Sequence, residues 1–107
     1  MSVGADLPPQ ADLADRVAAA VLGVPGVARL HTGVFGEVAT YLPGRRVDGV
    51  RLRPDRAEVH LVLAWGAPVE PTAAAVRQVA AAIAGTVVDV SVQDVADPVR
   101  GPSELGD

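Results

Sequence analysis

The chain has 107 residues, half of them hydrophobic and 21% charged, with a formal net charge of −4. This length suits one small domain, and the apolar content supports a core and excludes wholesale disorder. The absence of cysteine and lysine excludes disulfides, thiol catalysis, iron–sulfur ligation, Cys-based zinc sites, Schiff-base chemistry and a Walker-type phosphate loop. A pI near 5.0 argues against a general nucleic-acid binder.

Only 3% of the residues are aromatic, so the core must be built from Val, Ala and Leu. The first ten residues are polar and Pro-rich and carry no basic-then-apolar leader, so residues 1–10 are expected to form a flexible N-terminus. No apolar run is long enough to span a bilayer, and a cytoplasmic chain is the expectation.

From Ala11 the pattern turns helical, with Leu13, Val17, Ala20 and Val21 on one face of a 3.6-residue period. Asp12 and Asp15 stand in the first turn, where the helix dipole favours negative charge. Gly23 and Pro25 stop the helix, and an extended segment over 27–32 follows. Residues 33–49 are dense in glycine and read as irregular, with room for a short helical turn over 37–42.

A hairpin comes next. Val50 and Leu52 alternate with Arg51 and Arg53, Pro54-Asp55-Arg56 turns, and a return strand is expected over 57–65. Val59, Leu61, Leu63 and Trp65 would share one side, with Glu58, His60, Val62 and Ala64 on the other. Pro71 suits a first helical position, and Val76, Val79, Ala80 and Ile83 form the stripe of a second helix that ends at Gly85. A last strand over 86–95 points Val88, Val90 and Val92 inward and Asp89, Ser91 and Gln93 outward.

These elements, in the order α-β-β-β-α-β, predict a small α/β two-layer sandwich with a mixed sheet of about four strands and two helices on one face. The closing strand–helix–strand unit should be a right-handed parallel crossover. A single domain is expected over 11–95, followed by a flexible acidic tail over 96–107. The open face of the sheet would carry Arg51, Arg53, Glu58, His60, Asp89, Ser91 and Gln93.

The catalytic inventory is poor. A Ser-His-Asp set can be sketched from Ser91, His60 and Asp89, but a flat wet sheet face offers no nucleophile elbow and no oxyanion donors. His31 and His60 have no metal-ligand spacing around them and read as ordinary strand-surface histidines. Gly33 and Gly36 resemble a nucleic-acid-binding GXXG loop only in spacing, because Glu37 beside them is acidic. No catalytic residue, cofactor, metal or nucleic-acid partner is therefore expected.

Charge is unevenly placed: both ends are acidic and the middle is basic. Arg45, Arg46, Arg51, Arg53 and Arg56, with His60 nearby, form the candidate interaction surface, offset by Asp48 and Asp55. At about 1 kcal/mol per basic residue near an anionic lipid surface, the net gain is only about 3 kcal/mol. That biases orientation but does not anchor the chain alone.

A family pattern runs from about Val17 to Val95. Its pieces are Val24-Pro25-Gly26-Val27-Ala28, Gly33, Gly36-Glu37, Leu42-Pro43-Gly44-Arg45 and Asp48-Gly49-Val50-Arg51-Leu52. The 57–66 strand and the closing Val90-Ser91-Val92-Gln93-Asp94-Val95 complete it. In this order and spacing the chain resembles the alkaline shock protein (Gls-type) family of envelope stress response proteins of Gram-positive bacteria. The resemblance implies a non-enzymatic cytoplasmic scaffold, held peripherally at the cell membrane. It would act through protein partners, as a homo-oligomer and by docking on a membrane-anchored relative. The chain departs from the family in lacking lysine and a long charged tail. The alternatives are a small hydrolase-like enzyme using the outer sheet face, or an iron–sulfur-assembly-like fold that has lost its cysteine, since Gly66-Ala67-Pro68 stands where the thiol would be.

Overall fold

The computed structural model describes residues 9–97. The expected flexible segments therefore lie mostly outside the described residues, but Pro9 and Gln10 belong to a helix. Helix α1 spans Pro9–Leu22, two residues more than the sequence pattern marks. Ala14, Val17 and Val21 form its fully buried stripe, and the helix closes with Gly23 N–H donating to the Ala19 and Ala20 carbonyls.

The chain then forms β1 (Val27–Leu30), β2 (Ala39–Leu42), β3 (Arg45–Asp48), β4 (Val50–Leu52) and β5 (Arg56–Leu63), followed by α2 (Val69–Ala84) and β6 (Val87–Val95). Strands β1, β4, β5 and β6 make a mixed sheet, while β2 and β3 pair separately. The architecture is thus the expected α/β one, with both helices sharing one core with the inner sheet side chains. Ala14, Val17 and Val21 of α1 and Val76 and Ala80 of α2 meet Val50, Ala57, Val59, Leu61, Leu63 and Val88 there.

β5 organises the sheet. One of its edges pairs in parallel with β6 through the α2 crossover, from Arg56 opposite Val87 to Leu63 opposite Val95, with an irregularity between Leu61 and Val62. Its other edge is shared by two strands in succession. β1 sets Leu30 against Leu61, and β4 sets Val50 against Val59. β1 and β4 behave as one interrupted strand, and the break falls at His60. The His60 carbonyl accepts from the His31 N–H at 2.8 Å, and the His60 N–H donates to the Gly49 carbonyl at 2.9 Å. Residues 31–49 leave the strand and return to it at nearly the same point.

This excursion corrects the reading of 33–49 as irregular with a helical turn. It contains a tight hairpin in which Leu42 faces Arg45 across Pro43-Gly44. Proline followed by a glycine at φ 76° is type II turn chemistry, so the glycines that argue against a long strand supply the turn of a short one. One hairpin face, with Leu42 and Val47, packs against the core, and the other leaves Tyr41 and Arg46 exposed.

Two further corrections concern element ends. β5 stops at Leu63, so Trp65 lies past the strand and is 67% exposed instead of continuing the inner row. Helix α2 begins at Val69, so Pro71 is its third residue rather than its first. Proline is tolerated there because first-turn N–H groups have no helical acceptor; the first i→i−4 bond runs from Thr72 N–H to Pro68 C=O. Gly85, at φ 72°, closes the helix by donating to the Ala81 carbonyl. Val62, expected on the open face, is fully buried, between Arg29 and Asp94 in register. Among the described residues no helix is long and apolar enough to cross a membrane.

Candidate interaction surface

The arginines of the sequence cluster are distributed over two places. Arg45 and Arg46 belong to β3 in the small hairpin, whereas Arg51, Arg53 and Arg56 surround the β4–β5 turn. Four of the five are held by carboxylates. Arg45 makes a two-pronged contact with Asp15 of α1, Nη1 to Oδ1 at 3.0 Å and Nη2 to Oδ2 at 2.7 Å. Arg46 pairs with Asp48 at 2.7 Å, Arg53 with Glu58 at 2.7 Å and Arg56 with Asp89 at 3.3 Å. Arg51, half-buried and opposite Glu58 in register, makes no ion pair among the described residues.

Hydrogen bonding from the Arg45 guanidinium holds the Asp15 carboxyl below its ordinary value, partly opposed by desolvation, with direct charge attraction adding to the lowering. The same contact raises Arg45. Four of the five cations, all but Arg51, have their charge compensated locally, so the surface is mainly a set of ion pairs rather than a basic patch.

On the open sheet face a short polar chain runs from Arg53 through Glu58 and His60 to Gln93. The Gln93 side-chain amide lies 2.9 Å from His60 Nδ1, which therefore accepts. The neutral ring then carries its proton on Nε2, and that nitrogen faces Glu58 Oε1 at 4.0 Å. His60 thus turns to Gln93 rather than to Ser91, and Asp89 is engaged by Arg56. The sketched Ser-His-Asp arrangement is not assembled. His31 is adjacent through the backbone, but its Nδ1 accepts from the Gly33 N–H at 2.9 Å. Among the described residues no three His, Asp or Glu side chains converge as metal ligands.

The sequence reading missed the more distinctive surface feature. Every aromatic residue of the chain lies outside the core: Phe35 is 89% exposed, and Tyr41 and Trp65 are each 67% exposed. Val34, beside Phe35, is 77% exposed. These two side chains sit on a constructed turn. Gly36 N–H donates to the Gly33 carbonyl at 3.2 Å, Val38 N–H to the Thr32 carbonyl at 2.8 Å, and Phe35 N–H to Glu37 Oε1 at 3.1 Å. The available signal was an apolar pair enclosed by two glycines, where turn chemistry usually places polar residues.

No protein-family model matches this chain, and neither a curated protein nor a solved structure matches it.

Proposed function

We propose that this chain is a non-enzymatic scaffold of the envelope stress response, of the alkaline shock protein type that its sequence resembles. It works by self-association and by docking on a membrane-anchored protein partner. The observation that carries this reading is the exposure of Val34, Phe35, Tyr41 and Trp65 in a chain with no aromatic residue in its core. Aromatic side chains supply much of the binding energy of protein interfaces, and their cost in water is recovered when a partner covers them. The turn that presents Val34 and Phe35 is already hydrogen-bonded, so little loop entropy is lost on docking.

Contact with protein is favoured over direct contact with lipid. Arg45, Arg46, Arg53 and Arg56 each have a carboxylate partner, which weakens their pull on anionic headgroups. The test is sedimentation of the purified chain with bacterial membranes, with protease-stripped membranes and with protein-free phosphatidylglycerol vesicles. Retention on native membranes alone is expected, diminished in Phe35→Ala and Trp65→Ala variants. Retention on bare vesicles, or on none of the three, overturns the docking.

A further inference from the structure

β6 is an edge strand, and among the described residues it pairs only with β5. An open edge exposes a row of unpaired N–H and C=O groups that can template another strand. Protected edges are short, or carry Lys or Pro, or are twisted away by a bulge. β6 is nine residues long and contains no Pro and no basic residue. Its irregularity falls late, opposite Leu61 and Val62, and leaves 87–92 in even register with β5. On the inner side Val88 is buried, whereas Val90 and Val92 are only partly buried although they pack on the core.

We propose that the free edge of β6 pairs antiparallel with β6 of a second copy, about a two-fold axis centred on Val90. This rests on the scaffold reading and names its self-association surface. A two-fold axis normal to the sheet keeps both helical layers on one side, so inner residues must face inner residues. The axis must then pass through a residue and not between two. Centring it on Asp89 sets that carboxylate directly against its own copy, which is repulsive. Centring it on Ser91 carries the pairing into the irregularity, beyond which Val95 lies opposite inward-facing Leu63 and no longer matches Val87. Centring it on Val90 sets Val88 against Val92 of the second copy, Val90 against itself and Asp89 against Ser91. The two half-covered valines are then enclosed, and each carboxylate faces a hydroxyl. The interface is isologous and closes as a dimer.

Because the chain has no cysteine, single-cysteine variants report on this geometry directly. Under mild oxidation Val90→Cys is expected to form a disulfide-linked dimer about tenfold faster than Ala82→Cys, an exposed control on α2. Light scattering should show the unmodified chain passing reversibly from 10.9 kDa to twice that mass with concentration. Ser91→Asp, which faces Asp89 of the second copy, should weaken dimerisation by about tenfold, while Ser91→Lys should not weaken it. A chain monomeric at every concentration overturns both this pairing and the self-association it rests on. Larger species in which Val90→Cys links no faster than Ala82→Cys, or in which Ser91→Asp and Ser91→Lys behave alike, overturn the β6 pairing alone.

Discussion

Gly49 rests directly on Leu30: a Cβ built at residue 49 would stand 2.7 Å from the Leu30 Cβ and 2.9 Å from the His60 carbonyl oxygen. The contact marks the point where the excursion 31–49 rejoins the sheet, and Gly49 adopts φ 80° to make the turn. Gly49→Ala combines a left-handed backbone with overlap against two elements, and is expected to cost about 2–4 kcal/mol. Gly36→Ala has a similar φ of 72° with nothing within 4 Å, and should cost only about 1–2 kcal/mol. Urea unfolding of both variants checks the difference between them.

The Asp15–Arg45 pair ties α1 to the small hairpin and gives a pH signature. Its carboxyl is held below the ordinary 3.8, so the folded state binds that proton less readily than the unfolded one. The stabilisation is therefore complete above the unfolded value and is lost as pH falls through the lower folded value. The difference in urea midpoint between the unmodified chain and Arg45→Ala should be present at neutral pH, shrink below about pH 3.8 and shrink also with added salt. A difference that grows on acidification contradicts the assignment.

Gln93 is expected to fix the tautomer of His60. Gln93→Ala removes the donor facing Nδ1 and should cost about 1 kcal/mol, the usual value of one such bond. Nitrogen-15 shifts of the ring are the sharper readout: a proton on Nε2 at high pH in the unmodified chain, and a mixture of both forms in the variant.

The Val34–Phe35 turn should be dispensable for folding and needed for contact. Phe35→Ser removes a side chain that is almost wholly in water, so the change in stability should stay within about 0.5 kcal/mol. Binding to native membranes should fall at the same time. Loss of both together, read by thermal unfolding and sedimentation, would assign Phe35 a packing role instead.

How much of this was legible in the sequence depended on how far each signal reaches. α1, α2, β5 and the regular part of β6 are long enough for their periodicity to declare both type and buried face. Val17, Val21, Val59, Leu61, Val76 and Val88 stand where alternation or helical spacing puts them. β2 and β3 have four residues each, too few to establish a period, and their Pro43-Gly44 turn reads as one more break in a glycine-rich stretch. The joining of β1 and β4 into one interrupted strand is set by pairing with β5, which no local pattern records. Trp65 continues the alternation of β5 in sequence, but its pairing ends at Leu63. The charge cluster was visible as residues but not as pairs, because the partner of Arg45 lies thirty positions away in the chain.

The adjacency of residues 31 and 49 makes the intervening segment a detachable module. A short bridge between Leu30 and Val50 would let β1 run straight into β4 along β5 without shifting any register elsewhere in the sheet. Phe35 and Tyr41 ride on that module while β6 and both helices lie outside it, so this exposed segment can be exchanged while the strand pairing of the frame is kept. The limit on such grafts is set by Leu42 and Val47, which cover the core, by the buried Val38 and Ala39, and by the Arg45 contact to Asp15 of α1, all of which any replacement must restore.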